Sequence, residues 1–172
     1  MPDAATTTAR RTAARRHLIA DVDPTKPIIY VCRPPHAPGK TWYKALRHQL
    51  RRLLPDADFL TWSDVVVVGG HHDEIWPATL ARITGLAVVI TPDTMKNLPA
   101  RGDVGPVVAG EMRDAALAGL PVLVCHKGRV YALADCTVAG KRGSKAHITV
   151  PDGDGITEAY HDAVAKMGGR AT

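Results

Sequence analysis

Phenylalanine is nearly missing: the 172 residues contain one, against 45% apolar residues overall. A core of the usual size is therefore available, but it has to be built mainly from Val, Leu, Ile and Ala. Cysteine is scarce as well, with Cys32, Cys125 and Cys136 forming an odd set without a CxxC pair. Such a set does not make the even disulfide framework of a small secreted domain, and it predicts reduced thiols. No apolar run approaches the roughly 20 residues that a membrane helix needs. The Arg-bearing N-terminal stretch lacks the apolar segment of a signal peptide. Together these absences predict a cytoplasmic protein that makes no membrane contact.

Acidic residues are outnumbered, 17 against 22 Lys and Arg, giving a formal charge of +5. Arg10, Arg11, Arg15, Arg16 and Lys26 all precede Pro27. Residues 1–26 read as a flexible basic leader, and 27–172 as a single α/β domain.

From Pro27 onward, short β-prone runs alternate with helical patterns. Pro27-Ile28-Ile29-Tyr30-Val31-Cys32, Asp58-Phe59-Leu60-Thr61-Trp62, Leu86-Ala87-Val88-Val89-Ile90-Thr91 and Pro121-Val122-Leu123-Val124-Cys125 read as strands, the first and the last two as continuous buried ones. Trp42, Leu46, Leu50 and Leu53 recur at helical spacing, with Lys40, Lys44, Arg47 and Arg51 on other faces. A second helix is expected from Asp73 to Thr84, with Pro77 in its first turn and Ile75, Leu80 and Ile83 inward. A third is expected from Glu111 to Leu117, and a closing one from Ile156 to Met167. Val65–Val68 is open between strand and loop, and Pro92–Gly105 reads as a polar loop. Arg129–Leu133 and His147–Val150 read as strands around a basic loop at Lys141–Lys145. The alternation predicts a mostly parallel central sheet between two helical layers.

In such sheets ligands bind beyond the carboxyl ends of the strands. Three loops qualify: Arg33–Gly39, Pro92–Gly110 and His126–Lys127. The middle one leads through Asp103-Val104-Gly105 to Gly110-Glu111 at the expected start of a helix. Glycine lets backbone approach a ligand closely, and a helix start attracts anions. An acidic residue in a first helical turn is also ordinary dipole compensation.

The segment Gly105, Gly110-Glu111, Ala115-Ala116-Leu117-Ala118-Gly119-Leu120-Pro121-Val122-Leu123-Val124 resembles the hallmark of the nucleoside 2-deoxyribosyltransferase-like superfamily. Ile83-Thr84-Gly85-Leu86-Ala87-Val88-Val89-Ile90 and the opening strand Ile29–Cys32 are similar to its elements too. The resemblance implies a flavodoxin-like three-layer fold and cleavage or transfer of an N-glycosidic bond in a nucleoside or nucleotide. By resemblance, Glu111 is the nucleophile that attacks the anomeric carbon, and Asp103 assists the departing base. Tyr30 and Arg33 would contact sugar or phosphate, with Lys40, Gly105 and Gly110 completing the substrate-binding set. The chain departs from the family pattern at Ala87, where relatives often carry Asp. The mechanism calls for no metal or redox cofactor, and relatives often share active sites between subunits, which implies a homo-oligomer.

Other constellations point elsewhere. Gly39-Lys40-Thr41 resembles part of a phosphate-binding P-loop, but Pro34 stands where that motif has Gly, and Pro35 and Pro38 lack amides. Lys40 retains the option of holding one phosphate at a helix start. His71-His72-Asp73-Glu74 lacks metal-ligand spacing and reads as a solvent-exposed loop. Cys125 reads as a small hydrophobe ending a buried strand. Trp42, Trp62 and Trp76 read as core or ligand-wall residues. The alternative function is a non-catalytic nucleotide- or nucleic-acid-binding protein, drawing on the leader, the Lys40–Arg51 helix face and the Lys141–Lys145 loop, with strongly salt-dependent binding.

Overall fold

Four of the β-prone runs line up side by side in one sheet. In the computed structural model, which describes residues 22–33, 39–66, 70–91, 101–140 and 146–168 (backbone alone at 101–103), β1 is Ile28–Cys32, β2 Asp58–Thr61, β3 Gly85–Val89 and β5 Val122–His126. They run parallel, and β6 (Arg129–Ala132) adds an antiparallel edge, giving the order β2-β1-β3-β5-β6. Every residue of β1, β3 and β5 is buried. That is why these strands read as unbroken apolar runs rather than alternating ones: helices cover both faces.

The two faces separate by residue parity. Ile28, Tyr30 and Cys32 of β1 join Leu86, Val88, Val122 and Val124 in one cluster with Trp76, Met112 and Ala115. Ile29 and Val31 join Ala87, Val89, Leu123 and Cys125 in the other, with Leu46, Leu50, Tyr160 and Val164. The first layer contains α3 (His72–Leu80) and α4 (Pro106–Leu117); the second contains α1 (Gly39–Leu53) and α5 (Glu158–Lys166). Leu46 and Leu50, four residues apart on α1, are both 0% exposed. Truncating either to Ala would cost about 2–5 kcal/mol. The fold is thus a three-layer α/β arrangement compatible with the flavodoxin-like class.

Several local expectations change. Thr61 caps a short helix, α2 (Trp62–Val65), held by Asp64 Oδ2 accepting from the Thr61 amide at 2.7 Å. Of Val65–Val68, open between strand and loop, Val65 ends this helix and Val66 is its C-cap, while 67 and 68 lie with 69 outside the described residues. Pro77 sits inside α3 rather than in its first turn, because the helix begins at His72 and ends at Leu80. Trp76 and Thr79 are its buried residues. Within the expected Pro92–Gly105 loop, β4 (Arg101–Val104) forms a strand. It pairs with β8 (Ala146–Thr149), which also pairs with β7 (Thr137–Ala139), in a small antiparallel sheet. Val104, Ala146 and Ile148 pack this sheet into the cluster that holds α4. Pairing and burial here outweigh the weak strand preference of Gly102 and Asp103.

The expected ligand loop His126–Lys127 is instead the tight end of the β5–β6 hairpin. Lys127 and Gly128 both have positive φ, 51° and 76°, as a two-residue type I′ turn requires. The leader through residue 21, the loops 34–38 and 92–100, and the basic loop 141–145 lie outside the described residues. No helix among the described residues is long and apolar enough to cross a membrane.

Candidate functional site

The strand order reverses at β1, which is flanked by β2 on one side and β3 on the other. Crevices for ligands open at such points beyond the carboxyl ends. A cavity of about 560 Å³ lies there, lined by residues that include Tyr30, Cys32, Arg33, Trp62, His72 and Glu111. Its size falls in the range of small-molecule sites.

Glu111 is its buried carboxylate. The helix that carries it starts five residues earlier than the sequence predicts, with Gly105 as N-cap and Pro106 in the first turn. Proline suits that position because its missing amide has no helical partner there. Glu111 therefore occupies the helix interior, where dipole compensation no longer accounts for it. Its neighbours Met112 and Ala115 are buried, and Glu111 itself is 4% exposed.

A buried carboxylate is costly without partners, and this one has two. The Cys32 thiol donates to Oε2 at 2.9 Å, and His72 Nε2 lies 2.8 Å from Oε1. Burial raises the Cys32 thiol well above its usual pKa, and the adjacent Glu111 charge and hydrogen bond raise it further. The thiol therefore keeps its proton and acts as a donor. His72, at the first position of α3, is sandwiched between Trp62 and Trp76, with ring centroids 5.4 and 6.1 Å away. Segment 71–74 is thus not a solvent-exposed loop throughout. The ring of His72 is drawn inward by a carboxylate 39 positions further along the chain.

Further contacts tie the elements of the site together. Trp76 Nε1 donates to Asp114 Oδ2 at 3.0 Å, joining α3 to α4. The Tyr30 ring lies 5.5 Å from that of Trp76, and burial, then Glu111, Cys32 and Asp64, holds its phenol protonated. The Thr61 and Ser63 hydroxyls, 2.8 Å apart, add polar groups to the wall.

Among the sequence-predicted site residues, Tyr30, Arg33 and Glu111 share the cavity. Lys40 is exposed near the start of α1 and is not part of the lining. Gly105 and Gly110 are not lining residues either, and a Cβ at either position would meet nothing within 4 Å. Asp103 lies on β4 in register with His147 of β8. Trp62, read from the sequence as a core or ligand-wall residue, is in the lining, and Cys32, His72, Thr61 and Ser63 are polar lining residues the sequence did not assign to the site. Among the described residues no group of three or more His, Cys, Asp or Glu side chains is arranged to hold a metal ion.

No protein-family model, no curated protein and no solved structure matches this chain.

Proposed function

We propose that the chain cleaves the N-glycosidic bond of a nucleoside or nucleotide, passing the sugar through Glu111 to water or to a second base. The observation that carries this reading is the Glu111 carboxylate itself, buried in the lining of an aromatic-walled cavity and held at both oxygens. A carboxylate in a dry pocket stabilises an oxocarbenium-like centre more strongly than one in water.

In the first step the carbon–nitrogen bond breaks with its electron pair on the departing base, which takes up a proton. A Glu111 oxygen bonds to the anomeric carbon. In the second step water or another base attacks that carbon, its surplus proton returning to the group that protonated the first base, and the carboxylate leaves. Negative charge then returns to Glu111 with the Cys32 and His72 donors already in place. Preorganised donors of this kind need no rearrangement at the moment of reaction. Asp103 is the proposed source of the proton for the base. Tyr30, Trp62, Thr61 and Ser63 offer stacking surface and hydroxyls suited to a base and a sugar.

The test is release of free base from a panel of nucleosides and nucleotides, run with the natural protein and with Glu111→Ala. Release by the natural protein that falls about 10³-fold or more in the variant is expected for loss of a nucleophile. Undiminished release by the variant, or none by either folded protein, overturns the reading.

A further inference from the structure

Arg33 is a cation in the lining of the same cavity, and among the described residues it forms no ion pair. Among the described residues a basic side chain meets a carboxylate at His72–Glu111 and at Arg113–Asp114, and neither contact involves Arg33. The Glu111 carboxylate is taken up by Cys32 and His72. The guanidinium of Arg33 instead lies over the Tyr43 ring, 5.2 Å from its centroid, and its Nε is buried without a hydrogen-bond partner among the described residues. A buried donor left unpaired is costly, and more so on a charged group.

On the side of α1 the neighbouring charges are basic rather than acidic. Arg33 directly follows β1, at the carboxyl edge of the sheet, where α1 also begins. The first turn of α1 has no acidic residue. Lys40 and Arg47 lie three and four residues from Tyr43 on that helix, and the Arg47 Nε is likewise buried without a hydrogen-bond partner among the described residues.

We infer that Arg33 binds the phosphate of a nucleoside 5′-monophosphate, with Tyr43 fixing the plane of its guanidinium. The inference rests on the proposed N-glycosidic reaction for the identity of the rest of the substrate. A planar guanidinium offers paired donors that match phosphate oxygens, which sugar hydroxyls do not require. A 5′-monophosphate carries its dianion and its scissile bond on different carbons of one sugar. The cavity correspondingly keeps its unpaired cation and its held carboxylate on different residues.

The experiment compares a nucleoside with its 5′-monophosphate in two ways, by calorimetric binding and by base release, using the natural protein, Arg33→Lys and Arg33→Met. The natural protein should bind the monophosphate at least about tenfold more tightly, as charge-assisted hydrogen bonds imply. Arg33→Met should abolish that preference, and Arg33→Lys should retain part of it. Circular dichroism and melting of each variant establish that it is folded. Equal affinity of the natural protein for both compounds overturns the inference, whether or not base is released. So does a preference that survives in folded Arg33→Met. Arg33-dependent binding of the monophosphate without base release supports the phosphate site and counts against the glycosidic reaction alone.

Discussion

Cys32 Sγ and Glu111 Oε2 lie 2.9 Å apart, so the last residue of β1 and the middle of α4 meet in one hydrogen bond across 79 positions of sequence. The thiol is fully protonated by its surroundings, and the bond runs in one direction, from sulfur to carboxylate.

That direction gives the first prediction. Cys32→Ala removes the donor and leaves a buried carboxylate oxygen short of a partner, at a cost of about 1–3 kcal/mol. Cys32→Ser keeps a donor and should lose less. Urea denaturation of the two variants, with unchanged m-values, measures the difference. Equal losses would mean that packing, not the hydrogen bond, sets the cost.

The second prediction concerns the joint between α3 and α4. Trp76→Phe retains most of the buried ring but leaves Asp114 Oδ2 without its indole donor. A loss of about 0.5–1.5 kcal/mol is expected for a neutral hydrogen bond, more where the acceptor is charged. Because His72 and Glu111 ride on these two helices, base release should fall further than stability alone accounts for. A variant with full activity would separate the joint from the site.

How much of this was legible in the sequence differs by layer. The parallel strands were, because burial on both faces demands unbroken apolar runs and Gly or Pro punctuates them. The start of α4 was not: Pro106-Val107-Val108 has the look of a loop insertion, yet proline at a helix N-terminus is favoured by its fixed φ. β4 was hidden for another reason, since Arg101-Gly102-Asp103-Val104 gains its strand form from pairing with β8. Glu111, Tyr30 and Arg33 stood out through the resemblance and their place beside strand ends. His72 did not, because what turns it inward lies 39 residues away. The one local hint was Trp76, four residues on and therefore on the same helical face.

A third prediction follows from Gly155, whose φ of 78° is in the left-handed region. A Cβ there would collide with the Val130 carbonyl oxygen and crowd the Tyr131 ring. Gly155→Ala should destabilise by at least about 1–2 kcal/mol, since both strain and a backbone clash act against it. Thermal denaturation checks this, with Gly153→Ala as the control: φ there is 102°, but nothing lies within 4 Å.

The fourth prediction is a pH dependence. His126 is 3% exposed with Nε2 unpartnered among the described residues, and its ring lies 5.7 Å from that of Trp42. Burial, then the Lys127 charge, lowers its pKa below the usual value. As pH falls through about 6.5, the unfolded chain takes up a proton that the folded one refuses. Stability is therefore undiminished above that pH and declines from there down through the folded-state pKa. Denaturation at about pH 7.5 and about pH 5.5 should show a larger loss for the natural protein than for His126→Asn. A matching loss in both would assign the acid sensitivity to other groups.

The cluster of Cys32, His72 and Glu111 draws on three segments separated by 39 and 79 positions, so no fragment of the chain retains it and an unfolded molecule offers a ligand nothing comparable. Occupancy and folding are then linked by mass action: a compound held at one hundred times its dissociation constant would add about 2.7 kcal/mol to the free energy of unfolding. The melting curve thereby becomes an instrument for finding the natural occupant, ranking candidate compounds by the heat the protein withstands in their presence before any reaction is known.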